Sequence, residues 1–230
     1  MPNNAKKRKT FKAGGLILFA FCLLWAFLYV KIPDFTISGI TEASTNPERE
    51  YLLELRKKYS GTQRKLTAQE ARAAIDEACA FIETSKNYPR IYDSLDAKEL
   101  LFGTACTESG LRPRFQDGGG DAIGLFQVEY KTFRDIWDRA IPVKHPDLHR
   151  AMKAKYSING ELTFEQLQQS DVICAIFARM KYAESSAKIP SRRNEKAQAE
   201  YYKKYYNTYL GKATPNEFIK RKHRILKENQ

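Results

Sequence analysis

Residues 13–30 form a run of 18 residues without a charge, behind a head of residues 1–12 that carries Lys6, Lys7, Arg8, Lys9 and Lys12 and no acid. As an α-helix the run measures about 27 Å, enough to cross a hydrocarbon core. Trp25 and Tyr29 lie towards its far end, where interfacial aromatics are common. A secretory h-region is typically about 7–15 residues long and ends in a small-residue cleavage site. Here the run leads into Lys31-Ile32-Pro33-Asp34-Phe35, with no Ala-x-Ala. The expected element is therefore an uncleaved transmembrane signal anchor. The basic head fixes its direction: N-terminus in the cytoplasm and the bulk of the chain on the other face. That makes a single-pass protein of the inner (cytoplasmic) membrane whose main domain is periplasmic or otherwise extracytoplasmic.

Charge narrows the partners. Of 39 basic residues, five belong to the head; the remaining 34 face 27 acids, an excess of seven positive charges. Such an excess favours anionic surfaces, whether wall polymers or lipid headgroups. Nucleic acid is not an expected partner for a translocated domain. Cys22 lies in the span, and Cys79, Cys106 and Cys174 lie beyond it among Ala, Ile and Phe, as buried residues do. Those three can hold at most one disulfide between them. His145 and His149 are four apart, but nothing nearby completes a zinc set, so neither a metal nor a cofactor is expected.

Residues 31–64 read as a tether containing one short helix around 47–59, and residues 65–230 as one compact domain. Thr67-Ala68-Gln69-Glu70 is a capping box, followed at helical spacing by Ala71, Ala74, Ile75, Ala78 and Phe81. Asp96-Ala97-Lys98-Glu99 opens a second helix directed towards Glu108. Shorter helical patterns occupy 130–139 and 147–156. A longer one runs from Thr163 to about Ala187, with a candidate break at Ser170-Asp171. Another covers 194–208, and Thr214-Pro215-Asn216-Glu217 starts the last. No strand-like alternation of useful length and no repeat is present. The fold class is mainly α.

Leu101, Ala105 and Glu108 fall on one helical face. An acid that continues an apolar stripe at a helix end is placed to have its pKa raised by desolvation, as a general acid near neutral pH requires. Gly110 marks the helix stop, and Ser109 is placed to hydrogen-bond locally. Gly118-Gly119-Gly120 permits a tight turn. Ala122, Ile123 and Gly124 allow a close backbone approach, and Gln127 offers a donor and an acceptor to a sugar or amide. Neither phosphate-loop spacing is present.

Glu108-Ser109-Gly110 followed by Gly124-Leu125-Phe126-Gln127 resembles the Glu-Ser … Gly-Leu-Met-Gln signature of soluble lytic transglycosylases and goose-type lysozymes, with Phe126 in the place of the usual Met. Tyr205-Tyr206-Asn207-Thr208-Tyr209-Leu210-Gly211 is similar to the Tyr-Asn-x-Gly region of such domains, with different glycine spacing. The resemblance covers residues 68–211 and implies a lysozyme-like helical domain behind the single N-terminal transmembrane helix. The implied substrate is the peptidoglycan strand, cleaved between N-acetylmuramic acid and N-acetylglucosamine. Glu108 becomes the catalytic acid/base, and Ser109, Gly124, Phe126, Gln127, Tyr205 and Tyr206 the substrate-binding residues. In the transglycosylase scheme one carboxylate suffices, an exception to the usual glycosidase pair, and the product carries a 1,6-anhydro end. A goose-type, inverting hydrolase would need a second carboxylate, for which Asp117, Asp121 and Glu129 are the candidates.

A third class is a non-catalytic wall-binding protein or a component of an envelope-spanning machine; a phage lysis setting is also compatible. Arg112, Arg114, Lys131 and Arg134 could meet peptide-stem carboxylates. Arg192, Arg193 and Lys196 read as surface. The basic helix containing Lys220, Arg221, Lys222 and Arg224 reads as surface too, or as a contact for anionic lipid.

Overall fold

Polar caps set the helix boundaries. The computed structural model describes residues 46–229 apart from Thr62, residues 86–90 and Leu210. Asn46 caps α1 (Pro47–Lys58) by accepting from Glu48 N–H at 3.1 Å. α2 (Ala68–Ser85) opens on the expected box: Glu70 N–H donates to Thr67 Oγ1 (3.1 Å), and Thr67 N–H donates to Glu70 Oε2 (2.8 Å). α3 (Leu95–Glu108) starts one residue before Asp96, because Ser94 is the cap, accepting from Ala97 N–H. A two-stranded antiparallel ribbon follows, pairing Arg114 of β1 (Arg114–Phe115) with Gly124 of β2 (Ile123–Gly124). Strands of two residues leave no alternation to read.

α4 (Tyr130–Arg134) passes through a π-helical segment (Asp135–Ala140) into α5 (Ile141–Lys144), and α6 (Pro146–Tyr156) comes next. Ser170 breaks the following apolar stretch. It ends α7 (Gln166–Gln169) and caps α8 (Asp171–Ala183), which stops short of Ala187. α9 (Glu195–Tyr202) continues as a second π-helical segment (Lys203–Asn207), and α10 (Pro215–Glu228) starts on a complete capping box between Thr214 and Glu217. The described chain is mainly helical, as the caps and periodicities require.

α3 is the centre of the packing. Residues 100–107 are all buried, and α2, α8, α9 and α10 lie against it. A helix apolar all round belongs inside a core. Thr104 is accommodated there by bonding back to Leu100 O (2.8 Å) and meeting the Tyr182 hydroxyl (2.7 Å). Gly103 lets α10 close in: a Cβ at that position would lie 2.1 Å from Cζ of the buried Phe218.

Two expectations are corrected, and one open question is answered. α10 is not a bare basic surface helix. Lys222 is buried and paired with Glu99 (3.0 Å) and Glu195 (2.9 Å), while Arg72 holds the other side of Glu99 (2.8 Å). Arg221 turns inward to the end of α3, so Lys220 and Arg224 are left as exposed cations of the group. Second, α1 is docked rather than part of a free tether. Leu55 is buried, Arg56 donates to Gly120 O, and Lys58 and Tyr59 both donate to Glu165 Oε1 at 2.6 Å. The domain therefore includes α1 and does not begin at residue 65. The disulfide question left open in the sequence is answered as well: Cys79, Cys106 and Cys174 are buried and free, each thiol pushed up to about 12 by burial. The basic head and the span at 13–30 lie outside the described residues. Among the described residues no helix is long and apolar enough to cross a membrane.

Gly103→Ala tests the α3–α10 contact. The Phe218 ring is enclosed and has to shift, so overpacking should outweigh the intrinsic helix gain of alanine and destabilise by about 1–3 kcal/mol. Urea unfolding of the variant against wild type measures the difference.

Candidate active site

α3 ends on Glu108, and the chain reverses at once. Gly110 and Leu111 both take φ of 62°, in the left-handed region, which turns the backbone into β1. The buried Ser109 hydroxyl bonds to Leu125 O at 2.6 Å and ties the helix end to the segment after β2. Gly124 (φ 78°) is needed because a Cβ there would meet Leu167 O at 2.4 Å; its N–H donates to Gln168 Oε1 (3.1 Å). Phe126 is buried, and its carbonyl accepts from the Tyr206 hydroxyl (2.9 Å). Ser109, Gly124 and Phe126, expected to bind substrate, are thus the frame that fixes Glu108 rather than surfaces a ligand touches.

A cleft of about 570 Å³ opens over this frame, lined by Glu108, Gln127, Glu129, Lys181, Tyr206 and Arg221 among others. Gln127, at φ 48°, spends both amide hydrogens internally, on Arg114 O (2.8 Å) and Gly124 O (3.0 Å). Its Oε1 is what remains for a ligand, so it offers an acceptor and not the expected pair of functions. Tyr206 contributes its ring, its hydroxyl being engaged. Tyr205 faces elsewhere, its ring centroid 4.5 Å from that of Tyr201.

The tyrosine that matters most was not singled out in the sequence. Tyr202 donates its hydroxyl hydrogen to Glu108 Oε1 at 2.7 Å. Its one signal in the sequence is the four-residue spacing to Tyr206, which Tyr201 and Tyr205 share; in the structure the Tyr202 and Tyr206 rings lie 6.2 Å apart. Lys181 and Arg221 were missed as site residues because each is one cation in a basic chain. Arg221 donates to Thr107 O (2.5 Å), satisfying a carbonyl of the last turn of α3. Lys181 Nζ sits 4.2 Å from the Tyr206 ring centroid and makes no ion pair among the described residues. Of the candidate second carboxylates, Glu129 lines the cleft with Glu108. Asp121 accepts from Tyr130 N–H (3.2 Å) at the start of α4, and Asp117 lies in the turn Asp117–Gly119.

Burial pushes the Glu108 carboxyl above its ordinary value of 4.5. The Tyr202 hydrogen bond and the charges of Lys181 and Arg221 pull it back, and Glu129 adds to the rise. The negative end of α3 works in the same direction as burial. Lys181 is lowered, first by burial, while Glu108 and Glu129 oppose that shift. The result is one acid that holds its proton more tightly than an exposed glutamate, with two cations at hand to stabilise the charge when the proton leaves. That is the equipment of a general acid.

A carboxyl with a raised folded-state pKa contributes stability that is present below 4.5 and lost as pH rises through the folded value. Glu108→Gln keeps the acceptor for Tyr202 and removes the titration. It should therefore melt above wild type near pH 8, at about 2–4 °C per kcal/mol for a domain of this size, with the difference closing towards pH 4. Circular dichroism melts across that range provide the check. Lys181→Met removes a nearby cation and should move the Glu108 pKa further up, read by carbon NMR of the labelled carboxyl.

Comparison with known proteins supplies no relative: no family model, no curated protein and no solved structure matches this chain.

Proposed function

We propose that this chain is a peptidoglycan lytic transglycosylase with a lysozyme-like catalytic domain, held at the cytoplasmic membrane by residues 13–30 and acting outside the cytoplasm. The observation that carries the reading is Glu108: a carboxyl directly after the buried run of residues 100–107 in α3, raised in pKa, hydrogen-bonded by Tyr202 and open to a cleft. The Glu-Ser … Gly-Leu-Phe-Gln resemblance supplies the substrate class, and the ribbon and glycine turn beside the cleft are in keeping with it.

In this mechanism protonated Glu108 gives its proton to the glycosidic oxygen as the bond to N-acetylmuramic acid breaks. The sugar's acetamido group stabilises the cationic C1. Tyr202, Lys181 and Arg221 stabilise the carboxylate that Glu108 has become. Glu108 then takes the proton of the C6 hydroxyl as that oxygen closes on C1, which forms the 1,6-anhydro end and restores the acid. Gln127 Oε1 accepts from a sugar N–H or O–H, and the Tyr206 ring forms part of the wall.

Hydrolysis is the second reading, because Glu129 opens onto the same cleft. There it would activate water on the face of the sugar opposite Glu108. Asp121 is engaged with the α4 backbone, so the hydrolytic reading falls chiefly on Glu129.

The full chain, purified in detergent, should release glycan fragments from peptidoglycan whose ends mass spectrometry identifies as 1,6-anhydro-muramic acid. Glu108→Gln should lower the rate by about 10²–10⁴-fold. Reducing ends that carry oxygen from labelled water, lost in Glu129→Gln, would make the enzyme a hydrolase. No fragments from the folded chain would count against both.

A further inference from the structure

A second cavity, of about 380 Å³, lies where α1 meets the ribbon, lined by Arg56, Gln63, Arg112, Arg114 and Phe115 among others. It shares Arg114 and Gln116 with the Glu108 cleft, so the two spaces are neighbours with a common wall. No carboxylate is among the described side chains that line it. Arg56 is preset: its guanidinium lies 5.3 Å from the Phe115 ring centroid and donates to Gly120 O, with Nε left without a hydrogen-bond partner. Arg112 is half-buried and makes no ion pair and no side-chain hydrogen bond among the described residues, which leaves its forked donors uncommitted to any of them.

We propose that this cavity receives the free carboxylates of the peptide stems borne by the glycan, through Arg112 and Arg56, so that peptide-bearing strands are the preferred substrate. The proposal rests on the wall-glycan reading of the Glu108 cleft. Guanidinium binds carboxylate in a planar two-pronged geometry that lysine does not reproduce. Arg56 has already lost its side-chain freedom to Phe115 and Gly120, which lowers the cost of ordering it around a ligand. The shared wall decides the source of the carboxylate. A peptide branching from a sugar held at Glu108 is tethered next to this cavity, and a second contact on one ligand raises its effective concentration. A lipid phosphate would suit the same guanidiniums but has no such reason to be beside the sugar cleft.

The test uses the full chain in detergent and two probes. The first is the free tetrapeptide stem, with its carboxylates intact or fully amidated, titrated by calorimetry. Intact peptide should bind, amidation should abolish binding, and Arg112→Gln should weaken it about tenfold, with Arg112→Lys recovering only part. The second is peptidoglycan with its stems present or stripped by an amidase. Arg112→Gln should lower kcat/KM about tenfold on stem-bearing glycan and leave stripped glycan unchanged. Equal binding of intact and amidated peptide, or equal slowing on both glycans, would overturn the proposal. So would Arg112-dependent binding to phosphatidylglycerol vesicles in place of the peptide. If neither glycan is cut but intact peptide still binds through Arg112, the carboxylate site stands and the wall-cleaving reading falls.

Discussion

The enclosure of α3 is the constraint on which the rest depends. A helical stretch buried on every face has no place for a charge, and α3 carries none from Leu100 to Thr107, its charged Asp96, Lys98 and Glu99 all lying in the less buried opening turns. Its only acid near that end is the terminal one, where water and cleft are reached. Glu108 therefore inherits its surroundings from the packing of the whole helix. The partners that raise and restrain its proton affinity arrive from α8, α9 and α10, each pressed against α3 for reasons of apolar burial.

Local signals in the sequence were read well. The caps at Thr67 and Thr214 are chemical statements about one helical turn, and each appears where expected; the break expected at Ser170-Asp171 is a cap as well. Glu108 was legible because an acid in register with Leu101 and Ala105 has to sit at the core's edge. The polarity of α10 was misread because its charges are identical in type and differ only in what stands opposite. Lys222 meets Glu99 and Glu195, two acids more than twenty residues away from it in the chain, while Arg224 faces outward. No window on a single helix contains that information.

The same limit explains the tyrosines and the tether. Four tyrosines at 201, 202, 205 and 206 supply two i,i+4 pairs, and spacing alone does not choose the one that faces the core. The π-helical segment from Lys203 shifts the face presented by Tyr206 and Asn207, a displacement no regular helical period anticipates. α1 was legible as a helix, but its docking rests on Arg56 meeting Gly120 and on Lys58 and Tyr59 meeting Glu165, contacts that span 64 to 107 positions.

α10 is the last helix in chain order, and it supplies both the ring that fills the notch at Gly103 and the guanidinium on the final carbonyls of α3. A nascent chain that has made everything up to Tyr209 still has one flank of α3 uncovered and water beside Glu108. There the burial that raises its carboxyl is incomplete. The surroundings of Glu108 are therefore completed by the helix that follows all the others it packs with.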